Sequence, residues 1–88
     1  MSDEAPGPVA AAILTATAAR GPDKSICPSE VARALAPDGT DWHVHMHAVR
    51  EAARHLARAG RIEILRKGKP QNPEDFKGVI RLRIKEAE

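Results

Sequence analysis

The spacing of apolar residues changes at Gly60, from a helical repeat to a strand repeat. Before Gly60, apolar residues recur every three or four positions, which is typical of amphipathic helices. After it, residues 61–64 and 80–85 alternate aliphatic and charged side chains, as half-buried strands do. The chain is therefore predicted to be an α+β domain in which the helices come first and the sheet last. Its 88 residues leave room for one small domain.

Before Gly60 we predict three helices, over about residues 9–20, 28–36 and 41–59. Pro8 suits a first helical turn. Gly21 and Pro22 end the first helix, because glycine is common just after a helix and proline cannot continue one. The second and third helices are joined by residues 37–40, which include Pro37 and Gly39. A connection this short is typical of a helix-turn-helix.

Strands are predicted over residues 61–66 and 79–85, separated by a turn-rich segment at 67–78. Residues 24–26 are too short to form an independent strand, but they can add a minor strand to this sheet. The order predicts a winged helix-turn-helix, with three helices followed by a two- to three-stranded antiparallel sheet. Residues 67–78 would be its wing. We expect this domain to span residues 8–86, after a flexible N-terminus at 1–7.

The sequence lacks the residues that several classes of function need. The single cysteine, Cys27, has no recognisable partner base, so it is expected to pack as a small apolar group or to cap the second helix. His43 and His47 are spaced to share a metal on a helix, but no pattern supplies a third ligand. No phosphate-cradling glycine loop is present either. We predict no enzymatic activity, no metal and no cofactor, and we see no evident small-molecule substrate.

The sequence also lacks signals for export or membrane insertion. The acidic start of the chain, MSDEAPGP, lacks the basic-then-apolar order of a secretory signal. No apolar run approaches the roughly 18 residues that a membrane span needs. We therefore expect a cytoplasmic protein with no membrane partner.

Charge is distributed unevenly along the chain. The formal net charge is +2, but residues 1–40 carry three bases and five acids. Residues 43–85 carry eleven bases and four acids, a balance of +7, together with all four histidines. Such asymmetry favours a polyanionic partner. Aromatic residues make up only 2% of the chain, which argues against single-stranded nucleic acids because those are bound by base stacking.

The third helix separates its apolar and cationic residues. At 100° per residue, its apolar face consists of Trp42, Met46, Val49, Ala53 and Leu56. Beside that face lies an arc of about 80° that contains His43, His47, Arg50, Arg54 and Arg58. A cationic stripe next to the buried face suits the major groove of DNA. The same side chains can also be ordinary surface residues paired with acids, and Arg50, nearest the apolar edge, can be half-buried.

We predict a non-enzymatic protein that binds duplex DNA and has a possible role in transcription regulation. The predicted contacts are His43, His47, Arg50, Arg54, Arg58, Arg66, Lys67, Lys69 and Lys77. Arg81 and Arg83, on the last strand, either contact phosphates or face water. Phe76 is expected to fold back onto the core, because an exposed Phe there would stand alone. The alternative is a winged-helix module for protein–protein interaction or homodimerisation, through the first helix or a strand edge.

Three segments resemble a small bacterial family of unknown function with a winged-helix fold. They are ARGPDKSICPSEVARAL, DWHVHMHAVREAARHLARAGRIEILRKGKP and KGVIRLR. The resemblance extends over about residues 9–85. It implies the fold and no established activity, so no site residues are transferred from it. The prediction of DNA binding rests on charge geometry and on analogy of fold.

Overall fold

The computed structural model describes residues 7–85, and it contains three helices followed by a three-stranded antiparallel sheet. The predicted α+β fold class, with its winged-helix-like arrangement, is confirmed. The helices are α1 (Pro8–Arg20), α2 (Pro28–Leu35) and α3 (Met46–Arg58), with a 3₁₀ turn at Trp42–His45 before α3. The strands are β1 (Ile62–Arg66), β2 (Lys69–Pro70) and β3 (Arg81–Ile84). Of the flexible N-terminus expected at residues 1–7, residues 1–6 lie outside the described part, as does residue 86 of the expected domain.

Helix α1 is bounded by the residues that the sequence indicated. Pro8 occupies its first turn, and Gly21, at a φ of 93°, follows its last residue. The inward face carries Ile13 and Thr17, both buried. The Thr17 hydroxyl donates a hydrogen bond to the Ile13 carbonyl at 2.8 Å, so this buried polar group is satisfied within the helix.

Helix α2 begins at Pro28 with a capped first turn. The Glu30 carboxylate accepts a hydrogen bond from the Cys27 backbone N–H at 3.0 Å, and this bond lowers the pKa of Glu30. A carboxylate here also offsets the positive end of the helix dipole. Val31 and Ala32 are buried against the core. The second helix is therefore fixed by a local cap and by its apolar face.

The apolar stripe of the third helix is buried as predicted. Val49, Ala53 and Leu56 all belong to the core, and Trp42 and Met46 pack against it partly buried. The helix begins differently from the prediction, because residues 42–45 form a 3₁₀ turn. The Asp41 side chain accepts the His43 backbone N–H at 3.0 Å and so caps this turn.

The sheet has the strand order β2-β1-β3, with β1 in the centre. Ile62 pairs with Ile84 and Ile64 with Leu82, which sets aliphatic residues on the face toward the helices. Ile26, from the segment predicted as a minor strand, forms a bridge to Leu82 with two hydrogen bonds of 2.8 Å. Leu82 therefore joins the segment before α2 to β3, an edge strand of the sheet.

The segment predicted as one long wing, residues 67–78, has two parts. Lys67 and Gly68, with φ of 54° and 80°, make the tight turn between β1 and β2. Two successive residues at positive φ match the backbone twist of a two-residue hairpin. Residues 71–80, which we call the return loop, then lead back to β3, and its Phe76 and Ile80 are buried in the core. Periodicity missed β2 because a two-residue strand ending at Pro70 has no repeat to detect.

Across residues 7–85, no helix has the length and apolar character needed to cross a bilayer. The longest described helices, α1 and α3, have 13 residues each. A membrane-spanning helix needs about 20 predominantly apolar residues.

We expect Leu82→Ala to lower the free energy of unfolding by roughly 2–5 kcal/mol, because it opens a cavity in a fully buried site. Urea denaturation should show a lower midpoint with an unchanged slope. Val79→Ala is the matched control, since Val79 is 83% exposed and its truncation should change stability by less than about 0.5 kcal/mol. Equal effects of the two substitutions would contradict the assignment of Leu82 to the core.

Candidate nucleic-acid interface

The three arginines of α3 lie on one side of the helix and face the return loop. Arg50 Nη1 donates to the Gly78 carbonyl at 3.4 Å, and Arg54 Nη1 donates to the Pro73 carbonyl at 3.2 Å. Arg58 forms a two-pronged ion pair with Glu74, in which Nη2 lies 2.6 Å from Oε1 and Nε donates to Oε2. The helical spacing brings these arginines together as predicted, and the tertiary structure adds a partner for each.

Phe76 fills the space between two of these arginines and the core. Phe76 is only 7% exposed, which confirms the prediction that it folds back onto the core. The guanidinium carbons of Arg50 and Arg54 lie 5.1 and 4.9 Å from the centroid of its ring. Cations at these distances are attracted by the negative face of an aromatic ring. Phe76 is thus an anchor that holds the return loop against α3.

Exposure differs along this arginine row. The side chain of Arg54 is 27% exposed and that of Arg58 is 45% exposed. Arg54 also lies 3.5 Å from Glu51, and its Nε is buried without a hydrogen-bond partner among the described residues. These contacts hold the return loop and leave only part of each guanidinium facing solvent. Arg50 is half-buried, in agreement with its place at the edge of the apolar face.

The Arg58–Glu74 pair changes the titration of both groups. Hydrogen bonding to Arg58 lowers the pKa of the Glu74 carboxyl below its ordinary value of 4.5, and the same bond raises the pKa of Arg58. The partners lie 16 residues apart in the chain. Helical periodicity identifies the face that Arg58 occupies but not an acid that a distant loop brings to it.

The two predicted histidines differ in their surroundings. His43 lies in the 3₁₀ turn, its ring stacks on Trp42 with centroids 3.8 Å apart, and its Nδ1 lies 2.7 Å from Asp41 Oδ1. Hydrogen bonds from His43, the backbone N–H foremost, lower the pKa of Asp41. His47 lies one helical turn further along and is exposed. Both histidines are therefore accessible, His43 in the 3₁₀ turn and His47 in the first turn of α3, although His43 has an acidic neighbour.

Four exposed cations surround the hairpin formed by β1 and β2. We call them the hairpin cluster: Arg66, Lys67, Lys69 and Lys77. Arg66 Nη1 donates to the Lys77 carbonyl at 3.4 Å, which brings the return loop beside the strand. Within residues 7–85, none of the four forms an ion pair with an acid. Of all the predicted contacts, this cluster has the most charge still facing solvent.

The arginines of the last strand have separate partners. Arg83 pairs across the sheet with Glu63, with Nε donating to Oε1 at 3.0 Å. Arg81 donates to the Ser25 hydroxyl at 2.7 Å through Nε and to the Ser25 carbonyl at 2.9 Å through Nη2. Arg83 is thus a cross-strand partner, and Arg81 links the sheet to the segment before α2. Serine and arginine 56 residues apart give no sequence signal of this contact.

The described residues contain no cluster of three or more His, Cys, Asp or Glu side chains that could hold a metal ion. Cys27 has a free thiol, and the Ser29 hydroxyl donates to its sulfur at 3.1 Å. Its backbone N–H is bound by Glu30, as described for α2, so Cys27 lies in the capped turn that begins this helix.

The chain belongs to the family described as "Protein of unknown function (DUF3253)", whose sequence profile matches residues 6–85. The matched range includes every helix and strand described above. No functionally curated protein matches the sequence.

We expect Phe76→Ala to release the return loop and to lower the free energy of unfolding by roughly 3 kcal/mol, because it removes a buried ring. Hydrogen exchange should accelerate at the Asp75 amide, which donates to the Asn72 carbonyl at 3.0 Å. Lys77→Ala, at the exposed neighbouring position, is the control and should leave this exchange rate unchanged. An unchanged Asp75 rate in Phe76→Ala would show that Phe76 does not anchor the loop.

The Glu74 carboxyl should titrate below pH 4.5, with its pKa moving back toward that value in Arg58→Ala. Since folding lowers this pKa, the pair stabilises the docked loop above pH 4.5, and this contribution is lost as pH falls through the folded-state pKa. Carbon-detected NMR of the side-chain carboxyl measures both curves. Arg61→Ala, an exposed arginine outside the pair, should not move the titration. A wild-type midpoint at the ordinary value would rule out the pair in solution.

Proposed function

We propose that this member of a family without an assigned function binds duplex DNA and catalyses no reaction. The observation that carries the proposal is the hairpin cluster, whose four exposed cations have no acidic partner within residues 7–85. Phosphate neutralisation by Lys and Arg supplies most of the sequence-independent affinity for DNA. A surface of this kind is therefore suited to the DNA backbone.

The arrangement of elements supports a particular docking geometry. In helix-turn-helix proteins the second helix of the motif enters the major groove, and neighbouring segments contact the backbone. Here α2 is followed by residues 36–41 and by the 3₁₀ turn Trp42–His45, which leads directly into α3, and the hairpin comes next in the chain. The proposal places α3 in the groove and the hairpin cluster on adjacent phosphates. This step is an analogy of fold.

In the 3₁₀ turn and in the first turn of α3, three exposed side chains are free to contact bases. His43 and His47 are exposed, and between them Val44 is 71% exposed. Imidazoles can hydrogen-bond to base edges, and an aliphatic side chain can contact the methyl group of thymine. Arg50, Arg54 and Arg58 remain part of the proposed interface through the N–H groups that the return loop does not occupy.

Ion pairs within this part of the chain leave its net charge unchanged, but they engage most of its acids with arginines. Glu51, Glu63 and Glu74 are three of the four acids in residues 43–85. They pair with Arg54, Arg83 and Arg58 respectively. The remaining bases are thus available to a polyanion with little competition from acids of the same part of the chain. A cytoplasmic location and a role in transcription regulation belong to the same proposal.

A protein-interaction module is the second candidate. Two aliphatic side chains, Val44 and Val79, are exposed by 71% and 83%. Aliphatic surface of this kind is more useful for contacts with a protein than for contacts with phosphates. Sedimentation velocity would detect a homodimer, and failure to bind DNA in the experiment below would favour this candidate.

The DNA proposal is tested by fluorescence anisotropy with a random-sequence duplex at several salt concentrations. We expect affinity to fall steeply with salt, and the double variant Lys67→Ala/Lys69→Ala to reduce the slope of log K against log salt by roughly 2. Lys85→Ala is the matched control, because Lys85 is an exposed lysine beyond the other end of β3. Its slope should stay within measurement error of the wild type.

Circular dichroism and urea denaturation would establish that each variant is folded. Absence of binding by the folded wild type at low salt would overturn the proposal. Equal reductions of the salt slope in the hairpin double variant and in Lys85→Ala would overturn the assignment of the contacts to the hairpin.

A further inference from the structure

We propose that a groove between the hairpin and the segment before α2 binds an acidic peptide that presents an aliphatic side chain between its carboxylates. The groove has a volume of about 370 Å³. It is lined by Gly68 and by the side chains of Ser25, Leu65, Arg66, Lys67, Val79 and Arg81. This ligand is distinct from the DNA of the proposed function, although the hairpin cluster supplies two of the cations.

The aliphatic residues of the groove come from β1 and from the end of the return loop. Leu65 pairs with Arg81 and is only 5% exposed, whereas Val79 is 83% exposed. Both line the same groove. An aliphatic ligand side chain set between them would cover Val79, and its burial would be favourable by about 25 cal/mol per Å² of apolar surface removed from water.

The cations of the groove are partly held in place before any ligand arrives. Arg81 is fixed by its hydrogen bonds to the Ser25 hydroxyl at 2.7 Å and the Ser25 carbonyl at 2.9 Å. Arg66 is held by the Lys77 carbonyl at 3.4 Å. Since guanidinium groups offer five N–H donors, each retains N–H groups for a carboxylate. Positioning before binding reduces the conformational entropy lost when the ligand binds.

The residues that line the groove indicate which class of ligand it binds. Three of its residues, Arg66, Lys67 and Arg81, are cationic and none is acidic. A single carboxylate on a small molecule would leave most of this charge unbalanced, whereas a peptide with several acidic residues would balance it. Phosphate chains supply negative charge but no aliphatic side chain for Leu65 and Val79. An acidic peptide with one aliphatic side chain therefore complements the groove better than either.

The test uses a fluorescein-labelled peptide, Gly-Glu-Glu-Leu-Glu-Glu-Gly, and a matched peptide with Ser in place of Leu. We expect the full chain to bind the leucine peptide more tightly. Arg81→Gln should weaken that binding about tenfold, the effect of losing one charge-assisted hydrogen bond. Val79→Ser should lower the affinity for the leucine peptide roughly fivefold and leave the affinity for the serine peptide unchanged.

Two controls separate this site from the DNA interface. Lys69→Ala removes a hairpin cation outside the groove lining and should leave peptide affinity unchanged. Val79→Ser should leave affinity for a random-sequence duplex unchanged, because Val79 carries no charge. Val79 is exposed, so this variant keeps the test valid even if Arg81→Gln disturbs the fold.

Equal affinity for the leucine and serine peptides would overturn the proposal. So would an unchanged leucine-peptide affinity in Val79→Ser. Loss of duplex binding in that variant, with no peptide binding by the wild type, would instead assign the groove to DNA. The DNA proposal itself can fail separately, through absence of duplex binding by the folded wild type at low salt.

Discussion

The packing of the α3 stripe, Val49, Ala53 and Leu56, into the aliphatic core is the constraint on which the rest of the structure depends. These side chains are fully or almost fully buried, so the rotation of α3 about its axis is settled. Once the helix is set in this way, the arginines beside the stripe must lie along the edge of the core. The return loop reaches that same edge, and its contacts with the arginines follow from the packing of the helix.

The contacts between α3 and the return loop are unequal in strength. Burial of Phe76 is worth about 1.5–3 kcal/mol by the area that it removes from water. The side chains of Arg58 and Glu74 are each about half exposed. Exposed ion pairs contribute little to the free energy of unfolding, because water and salt screen them. The loop is therefore held mainly by its buried apolar side chains, Phe76 and Ile80. The guanidinium groups around Phe76 can rearrange toward an anion without undoing the core.

The hairpin presents two chemically different surfaces. Lys69, with the other cations of its cluster, is suited to phosphates, which are recognised chiefly by charge. The neighbouring groove combines Arg66 and Arg81 with the aliphatic side chains of Leu65 and Val79. Because Arg66 and Lys67 belong to both surfaces, an acidic peptide in the groove would reduce the charge available to DNA. The two proposed ligands would then compete, although they depend on different residues for specificity.

The sequence by itself determined the order of helices and strands, the apolar stripe of α3 and the cationic side beside it. It did so because side chains repeat every 3.6 residues in a helix and every two in a strand. It also predicted the inward position of Phe76, since a lone exposed aromatic ring is unfavourable. β2 was missed because two residues are too few for any period.

Only the tertiary structure decided what covers each charged face. Periodicity reports the direction of a side chain within its own element, whereas an ion pair depends on where another element lies. Glu74 meets Arg58 across 16 residues, and Ser25 meets Arg81 across 56. These contacts depend on the path of the return loop and on the bridge between Ile26 and Leu82. Both follow from burial of the shared core, which no local pattern in the sequence records.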